Sequence, residues 1–157
     1  MSPPAVDAGA ETTAERATLA GLGRRWRVLA SPPGDGAHNM AVDAALLAHA
    51  RRTGEATLRT YTWRRPTLSF GRHERTRDLY SAERIAAHGV DAVRRHTGGR
   101  VLLHHHELTY SVTAPVGGAT LAESYAAINA LLRAAIARLG ATVVVAARTT
   151  SSLRPEG

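Results

Sequence analysis

Two stretches of the chain carry apolar residues at the three- and four-residue spacing of an amphipathic helix. The first spans residues 40–52, with Asn39 as its expected N-cap. The second opens with a capping box, in which Thr120 and Glu123 satisfy each other's free amides, and Gly140 ends it. The apolar positions are Met40, Ala44, Leu47 and Ala48 in the first helix, and Leu121, Tyr125, Ile128, Leu132, Ala135 and Leu139 in the second.

Shorter apolar or alternating segments, bounded by glycine, proline or polar residues, predict strands. A short helix is expected over residues 78–88, where Gly89 closes it. The predicted strands cover residues 26–30, 57–62, 67–71, 91–95, 100–104, 108–113 and 141–146. This order of elements predicts an α+β fold, with a mixed, mostly antiparallel sheet backed by helices.

The two ends of the chain differ in composition from its middle. Residues 1–24, rich in alanine, glutamate and threonine, are expected to form a flexible leader, and the polar residues 148–157 a loose tail. One domain is expected over residues 25–147, because a chain of 157 residues can bury a core of its own. No secretory signal and no apolar run of membrane-spanning length is present, so a cytoplasmic location and no membrane partner are expected.

The composition of the chain narrows the chemistry further. There is no cysteine, which excludes disulfides, thiolate metal sites and a cysteine nucleophile. There is no lysine either, and the formal net charge of +7 comes from arginine. A positive charge of this size is typical of proteins that bind nucleic acid. The arginines are dispersed, however, and no basic helix carries interleaved aromatic residues, so no nucleic acid partner is expected. A general preference for arginine and docking to an acidic carrier protein remain as explanations of the charge.

A pair of glycines flanked by arginines is the most informative feature of the sequence. Gly98 and Gly99 allow positive φ and a close approach of a ligand to the main chain, and arginines offer forked donors to phosphate or carboxylate. From the residues alone, this segment is either an ordinary hairpin with solvated arginines or a site for an anionic, phosphate-bearing ligand. The histidine run at residues 104–106 predicts no metal site, because neighbours in a strand face opposite sides and no third ligand is suitably spaced.

The segment Arg94–His104 resembles the signature of lipoate–protein ligases and octanoyltransferases, which usually reads Arg-Arg-x-(Thr/Ser)-Gly-Gly-(Gly/Arg)-Ala-Val-x-His. Residues 38–47, 61–73 and 107–111 also resemble that family, in the same order along the chain. The resemblance implies the fold of the biotin/lipoate protein ligase catalytic domain. The glycine- and arginine-rich loop of biotin ligases is absent, which argues against biotin as the acyl group.

The resemblance implies a role for the residues of this motif. The glycine pair would wrap the acyl chain and the phosphate of an acyl-adenylate, Arg95 would contact the nucleotide or the acyl carbonyl, and residues 100–103 would line the same pocket. Two positions depart from the family, since His105 replaces a usual acidic residue and Glu74 a usual glutamine. Core packing remains an alternative for each residue taken alone. The residues expected to bind substrate and nucleotide are Arg94, Arg95, Thr97, Gly98, Gly99, Arg100, Val101, Leu102, Leu103 and His104.

The resemblance also implies the reaction and its partners. The family attaches lipoyl or octanoyl groups to the lysine of a lipoyl carrier domain, in the E2 subunit of a 2-oxoacid dehydrogenase or the glycine cleavage H protein. Ligases use lipoate with ATP and magnesium and a catalytic lysine, whereas transferases take octanoate from acyl carrier protein through a cysteine or a lysine.

Neither catalytic residue type is present in this chain, so no catalytic residue and no covalently bound cofactor are assigned, and the chain alone is expected to be inactive. Three interpretations stay open. The chain is the N-terminal part of such a domain as a fragment, one half of an enzyme that a second chain completes, or a non-catalytic acyl- or carrier-binding module.

Overall fold

The computed structural model describes residues 22–23, 25–76, 80–115 and 117–144. The described residues divide into two compact units. The first is Leu22–Gly117, and the second includes the described residues from Gly118 onward. The predicted leader lies outside the described residues except for Leu22 and Gly23, and the predicted tail lies wholly outside them, so the predicted domain boundaries stay predictions. The elements of the first unit are β1 (Arg25–Ala30), α1 (Gly36–Thr53), β2 (Glu55–Tyr61), β3 (Thr67–Phe70), α2 (Ala82–Ala87), β4 (Asp91–Arg94), β5 (Leu102–His104) and β6 (Thr109–Thr113).

The strands of the first unit form two three-stranded sheets. The first has the order β1-β2-β6, in which β2 is parallel to β1 and antiparallel to β6. The second has the order β4-β3-β5, in which β3 is parallel to β4 and antiparallel to β5. Helix α1 packs against β2 and β6 of the first sheet and against β4 of the second. The mixed α+β class is confirmed, although among the described strands parallel pairings are as frequent as antiparallel ones.

Helix α1 begins at Gly36, four residues before the predicted start. Its N-cap is Asp35, whose carboxylate accepts a hydrogen bond from the His38 amide at 2.8 Å. Asn39 is completely buried instead, and its Nδ2 donates to the carbonyl oxygens of Gly34 and Thr62, each at 3.3 Å. The prediction of Asn39 as the cap is therefore wrong, because its side chain links the helix to neighbouring loops inside the protein.

Other element boundaries shift for local reasons. Helix α2 is shorter than predicted, because Ser81 caps it by accepting a hydrogen bond from the Arg84 amide at 3.2 Å. Strand β5 begins at Leu102 rather than at residue 100. The carbonyl oxygen of Arg100 accepts a hydrogen bond from the Arg95 side chain and not from a neighbouring strand. Residues 141–144 form no strand, contrary to prediction, and the remaining two residues of that segment lie outside the described ranges.

The core beneath α1 has an ionic centre. The guanidinium of Arg59 is fully buried, and its Nη1 lies 2.8 Å from Oδ1 of Asp43. Its Nη2 donates to Oδ1 of Asn39 at 2.9 Å, its Nε donates to the Ser31 hydroxyl at 2.9 Å, and its Cζ lies 4.0 Å from the centre of the Tyr61 ring. We call these five residues the buried arginine cluster. The buried apolar residues of this unit are Leu22, Ala50, Ala56, Tyr61, Trp63 and Phe70.

The second unit contains helix α3, which covers Leu121–Arg138. Its predicted capping box is confirmed, since the Thr120 hydroxyl accepts from the Glu123 amide at 3.2 Å and the Glu123 carboxylate accepts from the Thr120 amide at 2.7 Å. The Glu123 carboxylate also accepts from the Thr120 hydroxyl at 2.8 Å, and the hydrogen bonds from the Thr120 amide and hydroxyl hold the pKa of Glu123 below its ordinary value. In the part of the chain that the structure describes, neither this helix nor the others are long and apolar enough to cross a membrane.

Candidate anion-binding site at the glycine turn

The carboxyl ends of β3 and β4 meet at one edge of the second sheet because these strands are parallel. Two loops lie side by side there. One is residues 71–76, which we call the β3 loop, and the other is residues 95–101, which we call the glycine turn. The Arg72 amide donates to the Thr97 carbonyl and the Arg95 amide donates to the Phe70 carbonyl, each at 2.9 Å. These backbone bonds anchor the sequence motif against the end of β3.

The contact between Gly71 and the glycine turn leaves no room for a side chain. A Cβ atom built on Gly71 would lie 1.8 Å from the carbonyl oxygen of Gly99. Gly99 itself has a φ of +100°, which residues with a side chain rarely adopt. A Cβ on Gly98, by contrast, would meet nothing within 4 Å. The close approach of the two loops therefore depends on Gly71 and Gly99 and not on Gly98.

The guanidinium of Arg95 ties the glycine turn to β3. Its Nη1 donates to the carbonyl oxygen of Ser69 at 2.6 Å and to the Ser69 hydroxyl at 3.0 Å. Its Nη2 donates to the carbonyl oxygens of Gly98 at 3.1 Å and Arg100 at 2.6 Å. The side chain thus spans the turn and holds it in shape, in the position where the sequence predicted a ligand contact.

The guanidinium of Arg94 holds the β3 loop in shape by binding its main-chain carbonyl groups. Its Nη1 donates to the carbonyl oxygens of Gly71 at 2.6 Å, Glu74 at 3.1 Å and Arg72 at 3.4 Å. Its Nη2 lies 3.3 Å from the hydroxyl of Thr76. The two arginines of the motif therefore bind main-chain carbonyl groups of the β3 loop, the glycine turn and the end of β3.

The backbone amides of the glycine turn remain open. Across the described residues, the N–H groups of Gly98, Gly99 and Arg100 donate no hydrogen bond to the protein, and all three residues are exposed. The carbonyl oxygens of Gly98 and Arg100 are bound by Arg95, and that of Gly99 lies against Gly71. A backbone with its carbonyls held and its amides free presents donors to an anion, in the manner of a main-chain nest. The alternative of an ordinary hairpin with solvated arginines does not fit this geometry, because β3 lies between β4 and β5 and because Arg94 and Arg95 bind main-chain carbonyls.

The charges around the turn also favour an anion. Arg72, Arg75 and Arg100 are exposed, and their guanidinium groups make no hydrogen bond or ion pair within the described ranges. The carboxylate of Glu74, at the position where the sequence departs from its family, accepts from the Gly71 amide at 3.3 Å. Among the described residues of these two loops, positive charge therefore exceeds negative charge, and such a field attracts anions.

The apolar part of the motif follows the turn directly. Leu102 and Leu103 pair with Ser69 and Leu68 in the register of β5 with β3, yet 52% and 62% of their surface is exposed. Val101 is half-buried. Core packing, the alternative left open for these residues, therefore does not account for the two leucines among the described residues. Their exposed side chains lie on opposite faces of β5, beside the turn.

His104 lies inside the protein, and only 8% of its surface is exposed. Its Nε2 is 2.7 Å from the Ser69 hydroxyl, and its Nδ1 is 2.5 Å from Oε1 of Glu107. The imidazole stacks on the Trp63 ring, with ring centres 4.2 Å apart and planes 13° apart. The hydroxyl of Thr109 donates to the same Glu107 oxygen at 2.8 Å and accepts from Trp63 Nε1 at 2.7 Å. We call these five residues the histidine network.

His105 and His106 lie on the surface beyond β5, with ring centres 3.7 Å apart. No group of three or more histidine, aspartate or glutamate side chains suited to a metal ion occurs among the described residues.

Burial raises the pKa of Glu107. The hydrogen bonds from His104 and Thr109, together with the charge interaction with His104, lower it by a larger amount, so the pKa lies below its ordinary value. A lowered carboxyl pKa contributes stability at a pH above its unfolded value, and that contribution is lost as the pH falls through the folded value. Thr109→Val is therefore expected to raise the pKa of Glu107 toward the ordinary range of about 4.3. The share of the acid-induced loss of stability that comes from Glu107 should then be smaller, because its folded and unfolded pKa values lie closer together.

The measurement is a carboxyl-carbon NMR titration of Glu107 in both proteins. Thr113→Val is the matched control, because Thr113 is a buried residue of the same strand whose hydroxyl has no hydrogen-bond partner. It should leave the Glu107 pKa unchanged. An unaltered Glu107 pKa in Thr109→Val would contradict this account of the network.

Sequence reasoning missed several residues of this site. Ser69 and Gly71 belong to the predicted strand over residues 67–71. Nothing in the chemistry of serine or glycine marks them as partners of a distant turn. Trp63, Thr109 and Glu107 lie in segments that carry the family resemblance, which was the available signal, but their mutual contacts join residues up to 46 positions apart.

Comparison with known proteins supports the family resemblance found in the sequence. The model of the lipoyl protein ligase A/B catalytic domain matches residues 35–153. The octanoyltransferase LipM of Kyrpidia tusciae is 42% identical over 120 residues, which are 73% of this chain and 44% of that protein. The LipM of Carboxydothermus hydrogenoformans is 41% identical over 120 residues, again 73% of this chain and 45% of that protein. The chain thus spans somewhat less than half the length of these relatives.

Solved structures show the same fold. Protein Ta0514 of T. acidophilum, a lipoate protein ligase by assignment, superposes with a TM-score of 0.70 at 20% identity, over 83% of this chain and 55% of that one. Its form with bound lipoic acid has a TM-score of 0.65 at 21% identity, over 76% and 50% of the two chains. A lipoate-protein ligase A bound with ATP has a TM-score of 0.63 at 20% identity, over 77% and 49%. These likenesses confirm the predicted fold.

Proposed function

Because the chain belongs to the lipoyl protein ligase A/B catalytic domain family, we propose that it forms the acyl- and phosphate-binding part of a protein lipoylation enzyme. The complete enzyme would attach an octanoyl or lipoyl group to the lysine of a lipoyl carrier domain. The observation that carries the proposal is the glycine turn, whose carbonyls are held by the protein while the amides of Gly98, Gly99 and Arg100 are free. The names of the bacterial relatives support octanoyl transfer as its activity.

The geometry suggests how the substrate is held. The three free amides would donate to the phosphate or carbonyl oxygens of an activated acyl group, where hydrogen bonds to a charged oxygen are strong. The exposed side chains of Leu102 and Leu103 begin where the turn ends. Octanoate lying on one face of β5, against one of these leucines, would gain about 0.8 kcal/mol for each methylene removed from water.

The bound forms of two structural neighbours suggest which ligands to test. A lipoate-protein ligase A was solved with ATP and Ta0514 with lipoic acid. We propose by analogy that this chain binds an acyl-adenylate, with ATP and magnesium as co-substrates if the route is that of a ligase. Acyl carrier protein would be the donor if the route is that of a transferase. The lipoyl domain of E2 or the H protein would accept the acyl group in either case.

This chain would bind the acyl group rather than transfer it. In the transfer step the amine of the carrier lysine attacks the acyl carbonyl, an amide bond forms, and the bond from that carbonyl to AMP or to a thiol breaks. Family members promote this step with a lysine or a cysteine, and the printed sequence contains neither. We therefore propose that the residues of this chain orient the acyl group and stabilise its negative oxygens.

A binding test follows from this division of roles. A non-hydrolysable octanoyl-adenylate analogue, in which a sulfamoyl group replaces the phosphate, is expected to raise the melting temperature of the purified chain. At a hundredfold excess over Kd the stabilisation is about 2.7 kcal/mol, which is roughly 5–10 °C for a chain of this size. Octanoate and ATP alone should give smaller shifts.

Transfer of octanoate to a lipoyl domain by the chain alone is expected to be undetectable by mass spectrometry. Absence of any thermal shift with the analogue would contradict the binding proposal. Detectable transfer would contradict the assignment of a binding role without catalysis.

A non-catalytic acyl- or carrier-binding module is the second candidate, favoured by the absence of both lysine and cysteine. The two candidates differ when a polypeptide with the C-terminal half of a LipM relative is added. Recovery of octanoyl transfer would support a half-enzyme, whereas binding of the analogue with no transfer under any complementation would support the module.

A further inference from the structure

We propose that His104 is a positioning residue, which fixes the glycine turn through Ser69 and Arg95 without touching the substrate. The inference rests on the proposed function, since the turn matters only if it binds a ligand. It goes beyond the sequence prediction, in which His104 contacts substrate or nucleotide directly.

The burial of His104 excludes a simple ligand contact. Both ring nitrogens already have protein partners, one face of the ring stacks on Trp63, and the residue is 92% buried. The imidazole would have to leave all three contacts to reach a ligand outside. Its influence on the site must therefore pass through the groups that it holds.

The hydrogen-bond partners define one direction along the histidine network. Thr109 accepts from the indole N–H of Trp63, so its own hydroxyl proton is free to reach Glu107. The Glu107 carboxylate, an acceptor, is then matched by a proton on Nδ1 of His104. In the neutral form of His104 that carries its proton on Nδ1, Nε2 keeps a lone pair, to which the Ser69 hydroxyl donates.

The last step of the network reaches the turn. The Ser69 hydroxyl donates its hydrogen bond to His104, so its oxygen lone pairs are available to accept from Nη1 of Arg95 at 3.0 Å. Arg95 then has its Nη2 directed at the carbonyls of Gly98 and Arg100. Rotation of the Ser69 hydroxyl away from this geometry would remove one of the two bonds that hold Nη1.

The network also crosses between the two sheets. Thr109 belongs to β6 of the first sheet, whereas Ser69 and His104 belong to β3 and β5 of the second. Side-chain hydrogen bonds thus connect the glycine turn to both sheets. His104 is the central link, because it binds Glu107 through Nδ1 and Ser69 through Nε2.

Two substitutions at residue 104 separate the two sides of the ring. His104→Gln keeps an acceptor near the Nε2 position, toward Ser69, whereas His104→Asn keeps a donor near the Nδ1 position, toward Glu107. We expect His104→Gln to bind the octanoyl-adenylate analogue within about threefold of the unchanged protein and His104→Asn to bind about tenfold more weakly, as the loss of one hydrogen bond predicts. A substitution that acted only through packing would weaken binding in proportion to the loss of melting temperature.

Ser69→Ala provides the decisive second variant. It removes the hydroxyl while the Ser69 carbonyl still accepts from Arg95, and it should also weaken binding about tenfold. In the Ser69→Ala background, glutamine and asparagine at residue 104 should give the same affinity for the analogue. The Ser69 hydroxyl that couples residue 104 to Arg95 is then absent.

A second readout needs no ligand. The amide NMR signals of Gly98, Gly99 and Arg100 are expected to shift in His104→Asn and in Ser69→Ala, and to stay near their original positions in His104→Gln. Equal signals in the glutamine and asparagine variants, or an unshifted turn in Ser69→Ala, would overturn the inference. If the unchanged protein failed to bind the analogue, the proposed function would fall, and these amide signals would still decide whether His104 positions the turn.

Discussion

Gly71→Ala is expected to weaken binding of the octanoyl-adenylate analogue by about 100-fold. The added Cβ would lie 1.8 Å from the Gly99 carbonyl oxygen, about 1.2 Å inside the 3.0 Å that real contacts respect. The obstructing atom belongs to the main chain, so no side-chain rotation relieves the clash and the β3 loop and the glycine turn must move apart. A displacement of about 1 Å at a binding site costs on the order of 100-fold in function.

The measurement is isothermal titration calorimetry with the analogue, accompanied by thermal unfolding. The strain should also lower the free energy of unfolding by about 1–3 kcal/mol, as overpacking usually does. Gly98→Ala is the matched control, because its Cβ would have nothing within 4 Å. Equal affinities for both alanine variants would show that the close approach of the two loops is irrelevant to the ligand.

Asp43→Ala is expected to give the largest loss of stability among the substitutions considered. Its carboxylate is the counter-charge of the fully buried Arg59 guanidinium at 2.8 Å, and it also accepts from the hydroxyls of Ser111 at 2.8 Å and Tyr61 at 3.3 Å. Removing one partner of a buried pair leaves an uncompensated charge, which costs about 3–5 kcal/mol. Urea unfolding followed by circular dichroism measures the difference.

Asp91→Ala is the control for this loss, because Asp91 faces the exposed guanidinium of Arg65 at 3.7 Å. It should cost no more than about 1 kcal/mol. The hydroxyl of Tyr61 supplies an independent readout, since burial and then the Asp43 carboxylate raise its pKa well above the ordinary value. That pKa should fall in Asp43→Ala, and similar losses of stability in the two alanine variants would refute the buried arginine cluster as the centre of the core.

Local features of the fold were predictable from sequence because their causes are local. The capping box at Thr120 satisfies its own helix end, and apolar spacing identified both long helices to within a few residues. Strand partners were not predictable in the same way, since the parallel pairing of β3 with β4 depends on a connection of some twenty residues. The cap of α1 was misplaced because Asn39 and Asp35 both suit an N-cap, and only burial distinguishes them.

The candidate site shows the same division. The glycine pair and its arginines were recognisable from composition and resemblance, whereas the acceptors that those arginines use could not be inferred. Main-chain carbonyls are present at every residue, so the sequence contains no signal that Arg95 reaches Ser69, Gly98 and Arg100. The role of Gly71 depends likewise on an approach between two backbones, which no side-chain pattern records.

The acceptors of Arg94 and Arg95 are almost all peptide carbonyl oxygens, and this has a consequence for sequence drift. A carbonyl survives any exchange of the side chain beside it. Positions such as 72, 98 and 100 can therefore change identity while the scaffold around the ligand keeps its shape. Side chains along the two loops can therefore diverge without loss of the backbone geometry, provided that the two guanidinium groups persist.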